Sequence, residues 1–167
     1  MSSMQSEINF SPVDRIHIKG IFELLVDNQN WKNIGIQKLP TLEEHNHYWE
    51  KIYPNSNKKE FVGTYNGQVI GVVGLELSPQ SKEAYLWIFT DAKMASQGIA
   101  TKLLFESEKY LSNINYIKIF TAIDKKNYRS LNLFKRNNFQ SISKLPEVFL
   151  LHQKIGLSYF SKKLNFT

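Results

Sequence analysis

Ser96-Gln97-Gly98-Ile99-Ala100-Thr101-Lys102-Leu103-Leu104 is the stretch on which the reading of this chain turns. An apolar segment, Ala84-Tyr85-Leu86-Trp87-Ile88-Phe89, runs into a loop over Thr90–Ser96 and then directly into helical spacing from Gln97 to about Leu111. Ile99, Ala100, Leu103, Leu104, Tyr110 and Leu111 make one apolar stripe, with Lys102, Glu106 and Lys109 facing elsewhere. The first amides of a helix have no internal acceptor and sit at the positive end of its dipole. A glycine there lets an anion approach the backbone closely. Strand, Gly98, helix is therefore a candidate phosphate site, although one glycine before a helix also describes a plain turn ahead of a core-packing helix.

Working outward, Ile8-Asn9-Phe10 reads as a short strand ending near Pro12, and Arg15–Asp27 as a helix capped by Asp14, with Ile18, Ile21, Phe22 and Leu25 on one side. Asn28–Pro40 reads as a polar, irregular connection holding Trp31. Thr41-Leu42-Glu43-Glu44 has the form of a capping box and predicts a helix from Leu42 to about Ile52, ended by Pro54-Asn55-Ser56-Asn57. Glu60–Tyr65 and Gln68–Leu77 flank Asn66-Gly67, a dipeptide suited to a type I′ hairpin turn. The second of these is apolar on both faces, as a central strand is. Downstream come a strand at Tyr116–Phe120, a helix at Asn127–Asn137 and two last strands, Phe139–Ser143 and Val148–Gln153, separated by Pro146. Gly156–Thr167 fits either a strand end or an ordered tail. The order β-α-α-β-β-β-α-β-α-β-β implies a mixed α/β (α+β) domain with a largely antiparallel sheet.

The 167 residues suit a single domain over 1–167, with 42% hydrophobic and 22% charged residues. No run of about 18 apolar residues predicts a membrane span. Met1–Glu7 lacks the basic and apolar regions of a secretory signal, so a cytoplasmic protein is expected. The chain has no cysteine, which excludes disulfides and thiolate chemistry. Its net charge of +6 is scattered in short pairs such as Lys58-Lys59, Lys125-Lys126 and Lys162-Lys163. With no long basic run or binding motif, no nucleic-acid partner is expected, and a phosphorylated small molecule suits the charge better. His17, His47 and His152 share no metal-ligand spacing with carboxylates, so no metal is expected. If the chain associates, a homodimer is the expected form.

Gly98-x-Ala100 followed by Leu103-Leu104 resembles the pyrophosphate loop of the GNAT superfamily of N-acetyltransferases, Arg/Gln-x-x-Gly-x-Gly/Ala ahead of paired leucines. Ala95 stands where Arg or Gln is usual, and Ser96 where a first glycine is common. Downstream, Asn127-Tyr128-Arg129-Ser130-Leu131-Asn132-Leu133-Phe134, ending in Asn137-Asn138-Phe139, is similar to that family's Asn-x-x-Ser/Ala-x-x-Leu-Tyr/Phe-x-x-x-Gly-Phe. Asn138 replaces the glycine, a substitution compatible with a left-handed backbone. The resemblance spans roughly Phe61–Gln153 and implies a sheet of six to seven strands with about four helices, binding acetyl-CoA as co-substrate. It implies that Trp87, Ile88 and Phe89 pair with the pantetheine arm. It places the phosphates at Gln97, Gly98, Ile99, Ala100 and Thr101, with Lys102 or Lys93 as a cation nearby. Asn127, Ser130 and Phe134 would line the thiol end, Asn127 serving also as a helix N-cap.

In the N-terminal half, Asn30-Trp31-Lys32-Asn33 and Thr41-Leu42-Glu43-Glu44-His45-x-x-Tyr48-Trp49 are similar to a branch that includes acetyltransferases for nucleotide-linked amino sugars. The resemblance implies direct attack of a neutral amine on the thioester. Many relatives carry a tyrosine at the position of Phe134 as a proton donor, which Phe134 cannot be. A thiol near pKa 8.5 leaves readily as thiolate. Holding the reactants together can supply roughly 7–11 kcal/mol of the barrier. The candidate bases are Glu76, then His45, then Glu44. Three readings follow: an enzyme acetylating a small primary amine, one acting on a protein N-terminus or lysine, and a non-catalytic CoA-binding domain. The first predicts a closed acceptor pocket, the second an open groove.

Overall fold

A computed structural model describes residues 7–27, 30–34 and 36–165. The leading residues 1–6 and the end of the tail, 166–167, lie outside the described residues, as do 28–29 and 35 of the connection before Pro40. The chain runs β1 (Asn9–Pro12), a 3-10 turn (Arg15–His17), α1 (Ile18–Asp27), α2 (Asn30–Asn33), α3 (Leu42–Ile52), β2 (Lys58–Tyr65), β3 (Gln68–Ser78) and β4 (Glu83–Thr90). It continues through α4 (Ile99–Asn113), β5 (Lys118–Asp124), α5 (Tyr128–Arg136), β6 (Gln140–Ile142) and β7 (Leu157–Lys163). The strands form one seven-stranded sheet in the order β1-β2-β3-β4-β5-β7-β6. Every neighbour pair is antiparallel except β4 with β5. The expected mixed, mostly antiparallel sheet is present, with five α-helices among the described residues.

Local chemistry explains where the elements begin and turn. Thr41 and Glu44 close a reciprocal capping box at the start of α3, at 3.2 and 2.8 Å. Asp14 and His17 do the same for the 3-10 turn that leads into α1. Asn66 and Gly67 both take positive φ (49° and 77°), the backbone a two-residue hairpin needs between β2 and β3. Asn138 sits at φ 66°, the left-handed position that glycine would fill more cheaply.

The sheet carries a core on each face. On one, Ile99, Leu103, Leu104 and Leu111 of α4 and Phe134 of α5 pack with Val73, Leu75, Leu86 and Ile119. On the other, Ile21 and Leu25 of α1 and Trp49 and Ile52 of α3 cover Val72 and Phe89. The helix α4 lies close to the sheet because Gly63 and Gly71, paired across β2 and β3, leave a notch for Leu103. A Cβ at Gly71 would meet Leu103 Cδ1 at 2.7 Å, and Leu103 is fully buried.

Three expectations need correction. Val148–Gln153 is not a strand: Glu147–His152 forms a 3-10 helix, and the last strand is Leu157–Lys163. The apolar run there points one ring inward, Phe149, while Leu151 is 86% exposed. The ladder positions beside β5 are filled from Lys118↔Lys163 to Asp124↔Leu157, so no slot remains for an earlier segment. The connection Asn28–Pro40 contains a helical turn, α2, whose Trp31 packs with Ile34 and Ile36 against the α1–α3 core. Strand β5 begins at Lys118 rather than Tyr116 and runs on to Asp124.

The notch at Gly71 gives a stability prediction. Gly71→Ala should destabilise the protein by about 1–3 kcal/mol through overpacking against Leu103. Urea denaturation would check it, and an unshifted midpoint would mean that α4 is not held by this contact.

Candidate active site

Strand β4 pairs with β3 along its whole length, from Ser78↔Glu83 to Gly71↔Thr90. Its pairing with β5 stops after three positions, Glu83↔Lys118, Ala84↔Ile119 and Tyr85↔Phe120. The Thr121 hydroxyl then donates to the Leu86 carbonyl at 2.8 Å, and beyond that bond the strands part. Strand β5 stays bound to β7, so the opening lies wholly between β4 and β5. The polar edge of β4 at Trp87, Ile88 and Phe89 faces a cleft of about 970 Å³ instead of a strand.

Gly98 N-caps α4 in a left-handed conformation (φ 78°, ψ 14°) without a side-chain cap. Ser96, two residues earlier, is also left-handed (φ 67°). These turns bring the backbone of Gly98, Ile99, Ala100 and Thr101 to the cleft, where the first amides of a 15-residue helix make an anion cradle. Gln97 also lines the cleft, but its amide is directed to the Met94 carbonyl at 3.4 Å. Lys102 does not line it: its ammonium is paired with Glu106 at 2.8 Å along the helix. Lys93 stands 4.0 Å from Asp27. The cations on the cleft wall are Lys32, Arg129, Arg136 and Lys154. Asn127 caps α5 by accepting from the Ser130 amide at 3.2 Å, and both residues line the cleft with buried Phe134.

A second cavity, about 360 Å³ and mainly apolar, opens beside the first on the face covered by α1 and α3. Strand alternation builds its floor. Lys58, Glu76 and Tyr85 form one row across β2, β3 and β4, and Glu60, Gly74 and Trp87 form the next. Gly74 is required by Trp87, since a Cβ there would overlap the indole. With that space free, Trp87 lies parallel to Phe89, rings 5.8 Å apart. Ile34, Tyr85, Trp87, Phe89 and His152 line both cavities and so mark where they meet.

The three expected bases all reach the second cavity, in different states. Glu76 is hydrogen-bonded to His152 Nε2 at 2.8 Å, and that bond holds its carboxyl below the usual range despite partial burial. His45 is buried between Phe22 and Trp49, with Nε2 3.1 Å from both the Trp49 indole nitrogen and the Ile18 carbonyl. One nitrogen cannot accept from Trp49 and donate to Ile18 at once. One tautomer donates to Ile18 and joins α3 to α1, the other accepts from Trp49 within α3, so this nitrogen is committed in either case, and burial lowers the ring's pKa. Glu44 is exposed and its carboxylate caps α3.

Two residues that the motifs do not mark stand out. His152 stacks face to face on Tyr85, centroids 3.8 Å apart and planes within 4°. Glu60 is pushed up to about 7 by burial, against the opposing pull of Lys58 and Lys59. The alternation Lys58, Glu60, Val62 places Glu60 on the covered face and is a signal readable in sequence; for His152 there is none, because a 3-10 loop delivers it.

Known proteins resemble this chain in sequence and in fold. The chain is 28% identical over 139 residues to Acetyltransferase PseH of Campylobacter jejuni, covering 78% of this chain and 82% of that one. Spermidine N-acetyltransferase from Vibrio cholerae, solved with CoA and spermine, superimposes with a TM-score of 0.82 at 17% identity over 96% of this chain and 98% of the other. RimL, a ribosomal L7/L12 alpha-N-protein acetyltransferase solved with coenzyme A, gives 0.81 at 15% identity over 97% of each chain. Residues 23–139 match the model of the acetyltransferase (GNAT) family, and the chain belongs to that family of acyl-CoA-dependent N-acetyltransferases.

Proposed function

We propose that this enzyme moves an acetyl group from acetyl-CoA to a primary amine of a small molecule, a nucleotide-linked amino sugar being the preferred acceptor class. One observation carries the reading: the open seam between β4 and β5 leads at one end to the Gly98 cradle and at the other into a separate pocket with carboxylates on its wall. The cleft fits an extended donor: a strand edge for the pantetheine amides, helix amides for the pyrophosphate, and Arg129, Arg136 and Lys154 for negative charge. When bound, the donor supplies an activated thioester carbonyl. The chain's residues then act by position. Trp87–Phe89 align the acyl arm, Asn127 offers its side-chain amide near the thiol end, and Phe134 closes the wall without a proton to give.

The second cavity supports a small acceptor over a polypeptide. Pro40, Ile36 and Tyr48 roof it, and its volume lies at the lower end of ligand pockets, roughly 300–1,000 Å³. Glu60 and Glu76 give it a place for an amine's positive charge. The amino-sugar acceptor rests on the similarity of Trp31 and Thr41–Trp49 to the branch described above, together with the match to PseH.

Calorimetry with acetyl-CoA and turnover on a panel of UDP-glucosamine, spermidine and a peptide with a free N-terminus test the reading. Binding with turnover on the small amines is expected. Binding with activity on the peptide alone would favour a protein acceptor, and no binding at millimolar acetyl-CoA would reject the donor assignment. Gly98→Val should weaken acetyl-CoA binding roughly 5–30-fold, because a β-branched residue in the left-handed region costs about 1–2 kcal/mol. Unchanged affinity would displace the pyrophosphate from this cradle.

Glu60 provides a pH signature. Its folded-state value of about 7 lies above the ordinary 4.5, so its contribution to stability is present at low pH and is lost as pH rises through about 7. Gln has no such charge to bury. The melting temperature of Glu60→Gln relative to wild type should therefore increase between pH 5 and pH 8.5, as read by a thermal-melt series; a flat difference would show Glu60 to be solvated.

A further inference from the structure

We propose that His152, held by Glu76, is the group that takes the proton from the attacking amine and returns it to the departing sulfur. The inference rests on the acyl-transfer reading above. Its motive is place: of the five residues that line both cavities, only Tyr85 and His152 titrate. Burial pushes the Tyr85 hydroxyl far up, outweighing the opposing pull of a backbone bond at Ala122, so it keeps its proton. His152 is the proton acceptor left at the junction.

Other carboxyl and imidazole groups are worse placed. Glu76 is held as a charged, weakly basic carboxylate by its bond to His152. His45 has Nε2 engaged by either the Ile18 carbonyl or the Trp49 indole, and Glu44 closes a helix cap. Glu60 lies on β2, opposite Gly74 and two strands from β4, roughly 9–10 Å across the sheet.

The loop is built to hold the imidazole. Phe149 is fully buried against Tyr85 and Phe120, with ring centroids 6.0 and 5.9 Å away, and pins the 3-10 helix to the sheet. The Leu145 amide donates to Gln153 Oε1 at 3.0 Å and ties the two ends of the segment together. Tyr85 fixes the plane of the His152 ring, and Glu76 Oε2 fixes its rotation. In the neutral ring Nε2–H donates to Glu76, which leaves Nδ1 with the lone pair. Glu76 is then a positioning residue, steadying the imidazolium when Nδ1 is protonated.

The step balances without a further reactant. The neutral amine forms the C–N bond at the thioester carbonyl, and Nδ1 takes the proton from the resulting N–H⁺. The C–S bond breaks, and the same proton passes to the sulfur. Because His152 borders both cavities, it can reach both atoms, which removes the need for a tyrosine where Phe134 stands. The titratable and charged groups around it are Glu76 and Tyr85 in contact, Lys58 beside Glu76 in the same row, Glu60, Glu44, His45 and Tyr48 in the second cavity, Lys32, Asp124, Arg129, Arg136 and Lys154 in the cleft, and Tyr159 acting on Tyr85.

The test compares wild type, His152→Gln and Glu76→Gln on the panel member with the highest turnover. His152→Gln should lower kcat by roughly 10²–10⁴-fold and abolish the acid limb of the pH–rate profile. Its calorimetric affinity for acetyl-CoA should stay within twofold, which also reports that the variant is folded. Glu76→Gln should lower kcat less and displace that limb. A His152→Gln enzyme that keeps wild-type kcat, or keeps the limb, overturns the proposal. A second arm needs no acceptor: long-range ¹H–¹⁵N NMR of the wild-type histidines should find neutral His152 protonated at Nε2, and protonation at Nδ1 would overturn the assignment. Loss of acetyl-CoA binding by the wild type would instead reject the underlying reading, so the two failures are separable.

Discussion

The parting of β4 from β5 is the constraint on which the rest of this molecule depends. Two parallel strands that stayed paired would satisfy each other's amides and leave no polar edge to offer a ligand. Here the ladder ends after Tyr85↔Phe120, where the Thr121 hydroxyl takes the Leu86 carbonyl. Each strand remains anchored on its other side, β4 to β3 and β5 to β7, so the gap is held open by two intact half-sheets. The α4 N-terminus presents its amides at that gap because β4 is joined to the Ser96–Gly98 turn by one short 3-10 turn, Ala92–Met94.

The second cavity depends on a different constraint, the absence of one side chain. Gly74 leaves room for the Trp87 indole to lie across β3, and this aromatic floor joins the two cavities. Polar groups placed around that floor are consequently desolvated to different degrees. Glu60 is driven toward neutrality by burial, while Glu76 is kept charged by its histidine partner. Two carboxyls on neighbouring strands therefore differ in protonation at neutral pH through environment alone.

Much of this was legible in the residues. The capping box at Thr41, the Asn66-Gly67 hairpin and the Gly98 turn are short-range devices whose partners lie within three or four positions, so sequence suffices to find them. The expected strand at Val148–Gln153 failed for the opposite reason. An apolar run states that something is buried, but whether it becomes a strand depends on a vacant ladder, and Leu157–Lys163 had filled it. Lys102 lay near the cradle in sequence, yet an acidic residue one turn on, Glu106, captured its charge.

By itself, then, the sequence determined the order of elements from Thr41 to Asn137, the family resemblance and the glycine turn ahead of α4, because these rest on local backbone chemistry and on two motifs each contiguous along the chain. Only the tertiary structure decided which titratable groups share the second cavity. His152 meets Glu76 across 76 positions of sequence, and Glu60 comes to the same pocket through the pairing of β2 with β3. No spacing rule encodes such a meeting, since it depends on how the sheet is ordered and on a loop pinned to it by one buried phenylalanine.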